Sequence, residues 1–144
     1  MKVGVFTVIL RSKPLEEALD YLAELGVQAV EIGAGAYPGT DHCPVDELLE
    51  SDRKAKEFLD SITSRGLELS SLSCHGNPIH PNKKFAADHD AAFRKAVRLA
   101  AKLGIDVVTT FSGCPGGAPG DRPFAIESPR APYGPASKRA ARLR

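Results

Sequence analysis

The sequence predicts a parallel α/β fold: about four βα units forming the N-terminal half of a (β/α) barrel, followed by an irregular C-terminal tail. Two observations carry this. A unit of helix, glycine turn and apolar strand recurs in Leu25-Gly-Val-Gln-Ala-Val-Glu-Ile-Gly33, Arg65-Gly-Leu-Glu-Leu-Ser-Ser-Leu-Ser73 and Leu103-Gly-Ile-Asp-Val-Val-Thr-Thr-Phe111, with Gly26, Gly66 and Gly104 spaced 40 and 38 residues apart. Each glycine follows an apolar stripe of helical period, and the left-handed residue that ends a helix is commonly glycine.

The opening strand is Val3–Thr7, preceded by Lys2 and closed off by Arg11. A charged residue before an apolar run also resembles a secretory leader, but no small-residue cleavage site follows, so a buried first strand is expected. The first helix, Lys13–Leu25, places Leu15, Ala18, Leu19 and Leu22 on one face, with Ser12 as its cap and Pro14 in its first turn. The second carries Ala55, Phe58, Leu59 and Ile62 after a Ser51–Asp52 cap; the third carries Ala92, Phe93, Ala96, Val97 and Ala100, with Asp88 or Asp90 supplying negative charge at its start. Strands joined by helices run parallel with right-handed crossovers. A closed eight-stranded barrel takes roughly 250 residues, so four units correspond to its first half.

Composition changes at Ala118. Residues 1–117 hold 13 Lys and Arg against 16 Asp and Glu, whereas residues 118–144 hold six against two. Pro119, Pro123, Pro129, Pro132 and Pro135 interrupt this tail, whose few apolar residues cannot offset its chain entropy, so disorder is expected there. The change is abrupt enough to resemble a truncated or frameshifted gene end. An acidic body gives no electrostatic reason for nucleic-acid binding, and nothing approaches the ~18 apolar residues of a membrane span. Cys43, Cys74 and Cys114 are odd in number and far apart, which signals neither a disulfide framework nor a zinc knot and fits a cytoplasmic protein.

Sites in parallel α/β sheets form where strands end. The segments that follow the four strands are Ile9–Arg11, the loop Gly33–Cys43 beyond Glu31, Cys74-His-Gly-Asn-Pro-Ile-His-Pro81, and Ser112-Gly-Cys-Pro-Gly-Gly117. His75 and His80 can bind a metal or sugar hydroxyls; otherwise His75 bonds a neighbouring loop and His80 sits in solvent. Glu31 ends an apolar strand, where a carboxylate is either functional or paired with a cation such as Arg11 or Lys2. Gly33-x-Gly35-x-x-x-Gly39 departs from the dinucleotide fingerprint by a late third glycine, and Pro38, Gly39 and Pro44 prevent a helix opening there. Cys74 is expected to be buried, and His42-Cys43 is expected at an exposed loop tip near the mouth.

Four segments, Val3-Gly-Val-Phe, Ala29-Val-Glu-Ile-Gly, Leu72-Ser-Cys-His-Gly-Asn-Pro-Ile-His-Pro and Val108-Thr-Thr-Phe-Ser-Gly, resemble the sugar phosphate isomerase/epimerase family, the xylose-isomerase-like α/β barrels, over residues 1 to about 117. The resemblance implies aldose–ketose isomerisation or C3 epimerisation of a small carbohydrate, by proton transfer at carbons held on a divalent metal (Mn, Mg, Co or Zn). It also implies that the Glu, Asp and His metal ligands lie mainly on later strands. Residues 118–144 contain Asp121 and Glu127 but no histidine, so no metal site and no catalytic residue can be carried over, and an inactive N-terminal fragment is expected. A partial substrate pocket carries over, with Glu31, His75, Asn77, His80 and Ser112 as binding candidates. The superfamily also includes AP endonucleases, metal-dependent phosphodiesterases with zinc-binding histidines after strands 3 and 4; His75 matches the first, but Phe111-Ser112 stands where the second belongs. A further alternative is a non-catalytic half-barrel whose open edges, at Val3–Thr7 and Ile105–Phe111, close through a homodimer.

Overall fold

Every strand in the computed structural model, which describes residues 1–115, runs parallel to its neighbour. The elements are β1 (Gly4–Phe6), a 3₁₀ turn (Thr7–Leu10), α1 (Leu15–Glu24), β2 (Ala29–Gly33), α2 (Val45–Glu50), α3 (Asp52–Thr63), β3 (Glu68–Ser73), α4 (Lys83–Leu103) and β4 (Val108–Thr109). The sheet order is β1-β2-β3-β4, the order of the predicted half-barrel. The tail expected over 118–144 lies outside the described residues.

Helices cover one face of the sheet. Leu19 and Leu22 of α1, Phe58 and Ile62 of α3, and Leu99 and Leu103 of α4 form a single core with Val30, Ile32, Leu69 and Leu72 of the strands. Burying each such side chain contributes about 1.5–3 kcal/mol. The recurrent glycines work as predicted: Gly26, Gly66 and Gly104 have φ of +75°, +73° and +71°. Open space surrounds the Cβ position of each, so backbone conformation rather than crowding selects glycine.

The sheet's register contains one irregularity. Val30 pairs with Leu69 but Glu31 pairs with Ser71, leaving Ser70 as an extra residue whose hydroxyl donates to the Val30 carbonyl at 3.0 Å. A bulge of this kind resets the alternation of side chains. Leu69 and Leu72, three residues apart, therefore both join the core, while Ser71 and Ser73 share the opposite face with Glu31.

Several local expectations are corrected. β1 and β4 are shorter than Val3–Thr7 and Ile105–Phe111, because each edge strand has only one neighbour to pair with and Thr7 turns into the 3₁₀ segment. Ser12 does not cap α1; Pro14 occupies that position without a side-chain bond. Ser51 does cap α3, accepting from Lys54 N–H. α4 begins earlier than expected: Asn82 caps it through Lys84 and Phe85 N–H, and Asp88 and Asp90 lie within the helix, paired with Lys84 and Arg94. On that helix Val97 is exposed, and Leu99 and Leu103 take the core positions. The short α2, directly after Pro44, had no sequence signal of its own.

Among the described residues no helix is long and apolar enough to cross a membrane. Leu72 is fully buried and Val97 is 43% exposed, so Leu72→Ala is expected to cost about 2–5 kcal/mol in urea unfolding, and Val97→Ala to stay within about 0.5 kcal/mol. Equal losses at the two positions would contradict this packing.

Candidate functional site

Glu31 sits on the face of the sheet away from the helices, in register with Phe6 of β1 and Ser71 of β3. It has neither of the cationic partners considered for it: Lys2 pairs with Glu68 at the sheet's other end. Instead one carboxylate oxygen, Oε1, accepts from Ser73 Oγ at 2.5 Å and from Thr109 Oγ1 at 2.7 Å. Ser73 and Thr109 are themselves register partners across β3 and β4. Two hydroxyl donors on one oxygen fix the carboxylate's orientation and offset much of its desolvation.

His75 follows β3 at the same end of the sheet. Its ring stacks on Phe111, with centroids 4.3 Å apart and planes 14° off parallel, and meets the Phe6 ring edge-on at 6.1 Å. Its Nδ1 is buried with no hydrogen-bond partner among the described residues. Burial pushes its pKa below the ordinary histidine value, and the Glu31 charge pulls weakly the other way. The ring is thus held neutral near pH 7, with one nitrogen able to accept a proton.

The loop carrying His75 is clamped on both sides. Asn77 is a latch: its Nδ2 donates to the Cys114 carbonyl at 2.7 Å, its Oδ1 accepts from Cys114 N–H at 3.0 Å, and its own N–H donates to His89 Nδ1 at 2.7 Å. Gly76 permits that approach, since a Cβ there would lie 2.9 Å from His89 Nδ1. His80 is not in solvent: it is buried, packs against Phe85, and accepts from Asn82 N–H through Nδ1 at 3.0 Å, so it supports the start of α4. Ser112 is exposed just beyond Phe111. Of the five binding candidates, the structure brings Glu31 and His75 together, gives Asn77 and His80 to the loop's architecture, and leaves Ser112 at the rim.

The loop after β2 is tightly folded. Ala36 has φ of +55°, a conformation that disfavours a side chain, and the next residue, Tyr37, donates its N–H to the His75 carbonyl at 2.9 Å. A Cβ on Gly33 would lie 2.7 Å from Pro38 Cβ, so glycine here serves close packing within the loop. His42 and Cys43 are buried, contrary to the expected exposed tip, because the loop folds back onto the core and His42 Nε2 bonds the Lys13 carbonyl at 2.9 Å. Burial pushes the Cys43 and Cys74 thiols up to about 12 and about 11, which makes both inert.

Ser73, Thr109, Phe6 and Phe111 were not among the sequence candidates. A signal existed: hydroxyl residues at 70, 71, 73, 109 and 110 interrupt strands that are otherwise apolar. Among the described residues no three His, Cys, Asp or Glu side chains gather as a cation site. Glu31 and His75 alone do not fit the divalent metal that the resemblance implies.

Residues 19–131 match the family described as the xylose isomerase-like TIM barrel. An uncharacterized protein of Bacillus subtilis (strain 168), YfiH, is 35% identical over 122 residues, covering 85% of this chain and 39% of that protein. Among solved structures, the probable 3-DHS dehydratase AsbF of Bacillus anthracis, involved in petrobactin synthesis, aligns at a TM-score of 0.50 and 19% identity over 78% of this chain and 39% of that one. The second likeness is one of fold. The chain therefore spans about two-fifths of the length of each of these relatives.

The His75 environment sets a sign for pH dependence. Below about pH 6.5 the unfolded chain takes up a proton that the folded ring resists, so stability is expected to fall as pH drops through that value, until the folded ring also protonates. An imidazole NMR titration is expected to give His75 a midpoint below 6.5, and His75→Phe to flatten the fall in stability. A midpoint at or above 6.5 would contradict this environment.

Proposed function

This chain belongs to the xylose isomerase-like TIM barrel family, and on that premise we propose that it supplies the carbohydrate-binding part of an isomerase or epimerase active site. The observation that carries the reading is the Glu31 carboxylate, fixed by Ser73 and Thr109 and flanked by His75 between two aromatic rings. Sugar recognition needs oriented acceptors for hydroxyl groups and an apolar surface for the carbon chain. The inner face offers both, with Phe6 and Phe111 as the apolar walls. Glu31 accepts hydrogen bonds from hydroxyl groups of the substrate, and the neutral His75 ring stands beside its reacting end.

Moving a proton from carbon also requires an electrophile at the neighbouring carbonyl oxygen. The row Phe6, Glu31, Ser71, Ser73, His75 and Thr109 holds no Lys or Arg. The 144-residue chain is therefore proposed to bind substrate without turning it over, with the electrophile coming from a group outside this row. A cytoplasmic location is part of this proposal, and the free thiols of Cys43, Cys74 and Cys114 support it.

Amide chemical-shift titration with a ketopentose such as D-xylulose tests this. Saturable shifts are expected at Glu31, Ser73, His75 and Thr109. Glu31→Gln is expected to weaken binding at least tenfold, because a charge-assisted hydrogen bond is worth about 1.5–3 kcal/mol. In ²H₂O no carbon-bound hydrogen should exchange. Absence of any saturable response would overturn the binding role, and catalysed exchange would overturn the division of labour.

A further inference from the structure

Among the described residues both edges of the sheet, β1 and β4, are without a second strand partner. The Val107 and Thr109 carbonyls turn toward β3, accepting from Leu72 and Cys74 N–H at 3.1 and 2.9 Å, so the N–H and C=O of Val108 between them point away from the sheet. At the other edge the Val3 carbonyl accepts from Ala29 N–H at 3.2 Å, which turns Gly4 outward in the same manner. Apolar side chains are exposed along both edges. Val3 and Ile9, on either side of β1, are 62% and 74% exposed, and Val107 and Phe111, on either side of β4, are exposed as well. An open edge of this kind is a template for a further strand.

We propose that a second copy of this chain closes both edges, through a two-fold axis along the strands that sets β4 of each copy beside β1 of the other. Strand direction chooses this arrangement. A rotation about an axis parallel to the strands leaves their direction unchanged, so both seams are parallel, as every pairing within the sheet already is, and the assembly closes at two copies. Two four-stranded sheets supply the eight strands of a closed barrel. Residues 116–144 amount to less than one of the repeats of 38 or 40 residues, so within the 144-residue chain they do not supply four further units.

Charge and apolar surface fit the same seam. Lys2 precedes β1, and Asp106, exposed and without an ion pair among the described residues, precedes β4. A parallel seam brings these opposite charges to one end. At the other end it sets Ile9 of one copy toward Phe111 of the other, the ring that stacks on His75. Antiparallel joining of like edges, β1 to β1 or β4 to β4, achieves neither and leaves two edges open. A formal net charge of +1 per chain gives little repulsion between copies. The inference does not depend on the carbohydrate reading.

Sedimentation of the 144-residue chain over a wide dilution series, with isotope-filtered NOEs on a mixture of labelled and unlabelled chains, decides the matter. A reversible monomer–dimer equilibrium that stops at two copies is expected, with NOEs between copies joining Val107, Val108 or Phe111 to Val3 or Ile9. Ile9→Lys and Val107→Lys, both at exposed positions, are each expected to raise the dimer Kd about tenfold or more with the circular dichroism spectrum unchanged, since lysine on an edge opposes pairing. A monomer at every concentration, which is the result if residues 116–144 cover the edges, would overturn the proposal. So would open-ended growth, NOEs joining β1 to β1 or β4 to β4, or a dimer that both lysine variants leave intact.

Discussion

A strand alternates its side chains between two faces, so a slip of one residue exchanges every inward group for an outward one. In β3 the two halves of the strand make opposite demands on that alternation. Leu69 and Leu72 both belong in the core under the helices, yet an odd number of steps separates them. The extra residue at Ser70, where β3 slips against β2 between Val30 and Glu31, reconciles them. Ahead of it, β3 follows Val30 in register; beyond it, Ser71 and Ser73 face the same side as Glu31. Without that reset Ser73 could not bond Glu31 Oε1, and the carboxylate would lose one of the two donors that make its position tolerable.

Parallel pairing then determines where the site can be. Each crossover returns the chain to the same end of the sheet, so the segments after all four strands meet there. They are joined to one another rather than left as separate loops. Tyr37 donates to His75 across the β2 and β3 segments, Asn77 holds Cys114 across the β3 and β4 segments, and Phe111 lies over the His75 ring. The strained Ala36 backbone persists because this packing holds it. A rim tied together in this way fixes the position of His75 relative to Glu31.

The architecture was legible because its signals are local and repeated. A glycine such as Gly104, needed for a left-handed turn, followed by a β-branched run such as Ile105-Asp-Val-Val, specifies a helix end and a strand start within a few residues. Glu31 and His75 were legible as residues out of place at strand ends. Their partners were not, since Ser73 and Thr109 lie 42 and 78 residues from Glu31 and nothing local announces a bulge at Ser70. The burial of His42 and Cys43 is not legible for a related reason: a Pro- and Gly-rich loop reads as solvent-facing, while its return onto the Lys13 carbonyl is a tertiary contact. His80 and Asn77 show that polar side chains at a mouth also serve to fix the loop that forms it.

The central claim is that the register after Ser70 brings Glu31, Ser73 and Thr109 together on the face away from the helices. Side-chain NOEs on an isotope-labelled sample of the whole chain test it most directly. Cross-peaks are expected from the Glu31 γ-methylene protons to the Ser73 β-protons and the Thr109 γ-methyl. Glu31 cross-peaks to the methyls of Leu69, Leu72 or Val108 instead would place the carboxylate on the helix-covered face and contradict the account.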